Sequence, residues 1–136
     1  MEVLNFYKLG KVIPENAVYI GRYSAEHNLQ KSIFSNPHKL SPTEERGETI
    51  QKYKEWLWEE LLSQRITKKQ LLDLEGKNLV CYCKPKPCHG DVVLAAFKWV
   101  KENEPLFDQK VKDYQLALKK KTEENNNVVY KVRRKI

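Results

Sequence analysis

The sequence predicts a small α/β domain: a single three-layer-like Rossmannoid unit with a mostly parallel sheet and flanking helices. Three observations predict it. Short β-prone runs alternate with helix-patterned segments, an order that favours parallel strands joined by helical crossovers. One run, Asn78-Leu79-Val80-Cys81-Tyr82-Cys83, is apolar on consecutive positions, as a strand covered on both faces requires. The segment that follows it, from Val92 to Val100, is too apolar for a helix with a solvated side.

The elements follow in order. Val3–Tyr7 is a short strand. Pro14-Glu15-Asn16 is a turn, and Ala17-Val18-Tyr19-Ile20 is a strand leaving through Gly21-Arg22. Residues 23–40 form a polar loop containing Asn36-Pro37, and loops of that length in compact domains are often functional. Ser41-Pro42-Thr43-Glu44 has the form of a capping box with proline at the first helical position. The spacing of Ile50, Tyr53, Leu57 and Leu61 carries that helix to about Ser63. Thr67 through Gln70 repeats the capping pattern and opens a short helix ending near Leu74. After the 78–83 strand, Lys84-Pro85-Lys86-Pro87 cannot extend the ladder. Asn103-Glu104-Pro105 ends the apolar helix, and a weaker helix follows. Asn125-Asn126-Asn127 reads as a break, and Val128–Val132 as a final edge strand. The division expected is an α/β ligand-binding domain over 1–104, with a C-terminal helix and basic tail over 105–136 packed on it.

The 136 residues suffice for one core without disulfides or metal. With 40% hydrophobic and 32% charged residues the chain is globular, not disordered. The net charge of +7 favours anionic partners. Much of that charge lies in Lys119, Lys120, Lys121, Lys131, Arg133, Arg134 and Lys135, a tail whose simplest role is solubility. The three cysteines fall between 81 and 88, a poor disulfide framework, so reduced thiols in a cytoplasmic protein are expected. No run approaches the length of a membrane helix, and a membrane partner is not expected.

The chemistry concentrates in Cys81-Tyr82-Cys83-Lys84-Pro85-Lys86-Pro87-Cys88-His89-Gly90-Asp91. Cys88 falls at a helix start, where unpaired N–H groups and the helix dipole favour thiolate and anions. His89 is beside it, and Gly90 permits close backbone approach. Three readings compete. In the first, Cys83, Lys84, Cys88, His89 and Gly90 line a pocket for a nucleotide-like anion, with Cys88 and His89 as nucleophile or acid/base and Asp91 capping the helix or orienting His89. In the second, Cys81, Cys83, Cys88 and His89 bind zinc; the residue types suit it, but the spacing lacks paired Cys-x-x-Cys knuckles. In the third, the cysteines are small buried hydrophobes, which is the best account of Cys81.

These residues, with Val18-Tyr19-Ile20-Gly21-Arg22, Ser35-Asn36-Pro37, Arg46, Tyr53, Trp56-Leu57 and Leu74–Leu79, occur in an order that resembles the domain of unknown function 4326 family of phages and bacteria, over about residues 3–100. Ser35 and His38 stand where the family carries a glycine and an aromatic. The resemblance implies a shared site built from Gly21, Arg22, Asn36, Arg46 and the Cys-His-Gly-Asp element, and no defined reaction. A host-cytoplasm location follows if the chain is phage-encoded. Arg22 would clamp a phosphate or carboxylate, Asn36 would hydrogen-bond a base or ribose, and Arg46 sits in a first helical turn that would prefer an acid. His27 and His38 read as solvated loop residues, and Tyr53, Trp56 and Leu57 as core.

The function expected is binding of a nucleotide- or nucleoside-like anionic small molecule, with any catalysis acting on a phosphorylated or glycosidic substrate. The competing expectation is a zinc-stabilised basic module that binds nucleic acid, through its C-terminal tail, or a host protein.

Overall fold

The computed structural model describes residues 1–38, 46–82 and 88–135, with Arg46 and residues 126–135 described by backbone alone. The order is β1 (Val3–Asn5), β2 (Ala17–Tyr19), α1 (Arg46–Leu62), α2 (Lys68–Leu72), β3 (Asn78–Cys81), α3 (His89–Glu102) and α4 (Glu104–Lys135). The three strands form one parallel sheet, in the order β1-β3-β2. The fold is therefore α/β, a small parallel sheet with flanking helices.

β3 is central, pairing Val3 with Leu79 and Asn5 with Cys81 on one side, and Ala17 with Asn78 and Tyr19 with Val80 on the other. Leu79, Val80 and Cys81 are all buried although successive side chains point to opposite faces. Both faces are thus covered, by different means. Val3, Val18, Ile20, Leu79 and Cys81 join the main apolar cluster with residues of the four helices. On the alternate face Phe6 is also fully buried, and its ring meets those of Tyr82 and His27, so the long loop covers this side.

α3 is the hub of the helical layer, packing on β3 and on α1, α2 and α4. Val93, Ala96, Phe97 and Val100 recur along its buried side. Thr67 caps α2 as its sequence predicts: its side chain accepts from Gln70 N–H at 3.1 Å, and the Gln70 side chain accepts from Thr67 N–H at 2.9 Å. The proposed cap at Ser41–Glu44 lies outside the described residues.

The C-terminal expectation is corrected. No strand forms at 128–132; α4 runs unbroken through Asn125-Asn126-Asn127 to Lys135. Asparagine and valine are only modestly poorer helix formers than alanine, so a helix already nucleated and packed at one end can pass through them. That anchored end is the part holding Phe107 and Val111, which join the main core. Lys68 Nζ pairs with Asp108 at 3.0 Å and Glu104 at 3.5 Å, and Tyr114 OH donates to Glu59. Residues 115–125 are exposed. Among the described residues no helix is long and apolar enough to cross a membrane.

Candidate functional site

The chain leaves all three strands in the same direction, and each exit delivers side chains to one cleft of about 460 Å³. β1 leads to Tyr7, β2 to Gly21 and Arg22, β3 to Tyr82, and His89 comes from the first turn of α3. This is the place where open parallel sheets bind ligands, beyond the carboxyl ends of the strands.

The β2 exit is shaped by Tyr19. Its hydroxyl donates to the Arg22 carbonyl at 2.7 Å, which lays the ring across residue 21. A Cβ there would collide with the ring and hydroxyl of Tyr19, so a larger residue fits only if that ring moves away. Burial, and then the neighbouring Tyr82 hydroxyl, push the Tyr19 pKa well above its ordinary value. The Tyr82 hydroxyl is itself buried beside that of Tyr19.

Arg22 reaches across to the long loop. Its Nε donates to the Asn36 carbonyl at 2.8 Å, and Nη2 to the His38 carbonyl at 2.9 Å. Asn36 Oδ1 accepts from His38 N–H at 2.8 Å, so Asn36 is the turn former and Arg22 the pin of that turn. Two of the five guanidinium N–H groups are used this way; the exposed remainder can meet an anion.

His27 is one of the residues that sequence reasoning missed. Ser24 and Leu29 exchange backbone bonds at 2.8 and 2.9 Å, with Asn28 in the left-handed region at φ 54° closing the turn. This holds His27 against Phe6, Tyr7 and Tyr82, with its side chain only 11% exposed. It is a packed wall of the cleft, not a solvated loop residue, and His38 lines the cleft too. A lone histidine in a polar loop carries no periodic signal that could have shown this. Tyr7 and Tyr23 stand at the same cleft with more than half their surface exposed.

The Cys-His element lies at the cleft's inner wall. Cys88 caps α3: Gly90 N–H points at its Sγ at 3.4 Å, while Asp91 Oδ2 accepts from Cys88 N–H at 3.2 Å. Asp91 thus caps the helix. The Nε2 of His89 meets the Ile20 carbonyl at 2.9 Å; a carbonyl only accepts, so Nε2 carries the hydrogen and Nδ1 faces Cys88 Sγ at 3.8 Å. The imidazole is also held edge-on by Tyr53, at 5.0 Å between centroids. Cys88 Sγ lies 2.9 Å from Cys81 Sγ. Both cysteines are 1% exposed; Cys81 borders the cleft, and Cys88 lies behind it. Gly90 packs against Val3 and Ile20 instead of a ligand.

Gly21, Arg22, Asn36, His89 and Cys81 are therefore brought together. The Arg46 side chain, Cys83 and Lys84 lie outside the described residues. Among the described residues no three His, Cys, Asp or Glu side chains are grouped to hold a metal. Cys83, one of the four candidate zinc ligands, lies outside the described residues.

Comparison with known proteins agrees with the residue pattern. The model of a domain of unknown function (DUF4326) matches residues 6–99, a span that contains every cleft residue named above. The "Uncharacterized 12.4 kDa protein in nrdA-td intergenic region" of Enterobacteria phage T4 is 32% identical over 76 residues, covering 54% of this chain and 70% of that relative. No solved structure matches. The ordered motifs and the span of the match place the chain in the DUF4326 family of domains of unknown function.

Proposed function

We propose that the cleft binds a nucleotide-class small molecule, one carrying both a planar ring and an anionic group. One observation carries the reading: all three strand exits converge on a cavity in which exposed tyrosine rings stand beside a partly uncommitted guanidinium. A volume of about 460 Å³ falls within the range of about 300–1,000 Å³ usual for small-ligand sites. Tyr7, Tyr23 and Tyr82 offer ring faces and edges for stacking at small entropic cost. Arg22 offers planar donors suited to phosphate or carboxylate.

The proposal is for binding. Nε2 of His89 is committed to Ile20 and Nδ1 faces Cys88, so the imidazole presents no lone pair to the cleft in this conformation. Cys88 Sγ lies behind the wall.

Isothermal titration against nucleoside monophosphates, diphosphates, nucleosides and ribose 5-phosphate tests it. Saturable binding of a nucleotide is expected, at least tenfold tighter than its nucleoside or sugar phosphate, about 1.4 kcal/mol. Arg22→Ala should erase the advantage of nucleotide over nucleoside, and Tyr7→Ala that over sugar phosphate. Heat change from no member of the panel would end the reading.

A second reading has one observation behind it: α4 carries Lys119, Lys120 and Lys121 on its exposed part, beyond the core-packed turns. A basic helix of that kind suits nucleic-acid phosphates. A gel shift lost between low and high salt, and lost on Lys119/Lys120/Lys121→Gln, would favour it.

A further inference from the structure

We infer that Cys81 and Cys88 form a dithiol couple that closes to an intrachain disulfide when a hydroperoxide enters the cleft. The inference is independent of which ligand the cleft binds. It rests on four features of one small region. The two sulfurs are 2.9 Å apart, so a bond of about 2.05 Å needs them to approach by less than about 1 Å. They belong to different elements, the end of β3 and the cap of α3, which are held together by the packing of α3 on β3 and by the bond from His89 to the Ile20 carbonyl. Cys88 Sγ sits at a helix N-terminus, accepting from Gly90 N–H, which fixes its position beside Cys81. His89 Nδ1 faces that sulfur at 3.8 Å, and in the neutral ring whose Nε2 donates to Ile20 it is the accepting nitrogen, so it can receive the thiol proton.

Access sets the order of events. Cys81 borders the cleft, whereas Cys88 lies behind it. The peroxide therefore meets Cys81 first. The Cys81 sulfur attacks the O–O bond, giving sulfenic acid and releasing water or alcohol. Cys88 then attacks the Cys81 sulfur, its proton passing to His89 Nδ1. The S–O bond breaks, and the hydroxide leaves as water with that proton. Two thiols lose two electrons and two protons, and one peroxide is reduced. Both residues are 1% exposed, so the reaction selects small oxidants over bulky disulfides.

The test uses the full chain, as wild type and as Cys83→Ser. Each is treated with hydrogen peroxide, denatured, alkylated and digested without reduction. Expected is a peptide pair joined through Cys81 and Cys88 in the wild type, reversed by dithiothreitol. Cys83→Ser should lose both alkylatable thiols and the mass of two hydrogens. His89→Phe, which keeps a ring in the core but offers no proton acceptor, should slow closure at least tenfold. If Cys83→Ser does not fold, the wild-type peptide map decides alone. The inference is overturned if oxidised Cys83→Ser keeps two alkylatable thiols, gains oxygen mass without cross-linking, or links between chains. It is likewise overturned if the wild type joins Cys83 to Cys81 or to Cys88.

Discussion

His89 Nε2 donates to the Ile20 carbonyl at 2.9 Å, fastening the first turn of α3 to the end of β2 across 69 positions of sequence. The bond is buried, and it sets the inner wall of the cleft. His89→Ala should therefore strand the Ile20 carbonyl and open a void beside Tyr53. A loss of about 2–4 kcal/mol in urea unfolding is expected.

Gly90 tests the same junction by crowding. A Cβ at this position would stand 2.9 Å from Val3 Cγ1 and 3.0 Å from Ile20 Cδ1. Gly90→Ala should cost about 1–3 kcal/mol, the usual range for overpacking. The double variant Gly90→Ala with Val3→Ala should recover part of that loss, read from the same unfolding curves.

Tyr53 gives the pH dependence. Its hydroxyl donates to the Phe34 carbonyl at 2.7 Å, and burial raises its pKa far above the ordinary tyrosine value. The folded state then holds a proton that the unfolded chain releases above about pH 10. The unfolded state binds fewer protons there, so stability is full below that pH and falls as pH rises through it. Tyr53→Phe should flatten the alkaline fall, and near neutrality should cost about 1–3 kcal/mol through the unpaired Phe34 carbonyl. Thermal melts from pH 8 to 11 check both.

α4 should split into two halves of unequal consequence. Phe107 is 1% exposed and packs in the main core near Trp58, whereas Leu116 and Leu118 are more than half exposed. Phe107→Ala should cost about 3–5 kcal/mol. Leu118→Ser should move stability by less than about 0.5 kcal/mol. Equal losses in chemical denaturation would contradict this division of the helix.

How much of this was legible in the sequence depends on the range of the interaction involved. The Thr67–Gln70 cap, the two-faced burial of β3 and the position of Cys88 at a helix start follow from residues within a few places of one another, and the sequence predicted them. The run from Asn125 to Val132 misled because propensity is a weak signal, overridden where a helix is anchored by packing at Phe107 and Val111. The cleft was half legible. Gly21, Arg22, Asn36 and His89 stood out through motif order, with Tyr19 and Tyr82 inside the same motifs, but Tyr7, Tyr23 and His27 lie outside them and join the cleft only because three parallel strands end together. Nothing local in the sequence states that the strand order is β1-β3-β2.

The family match stops at residue 99, yet the apolar interior does not, since Phe107 and Val111 close it from beyond. A homologue built only from the matched span would expose a greasy seam along α1 and α3. In this chain the last helix is what lies along that seam, so cutting the chain at residue 99 would leave α1 and α3 in need of another body to cover them.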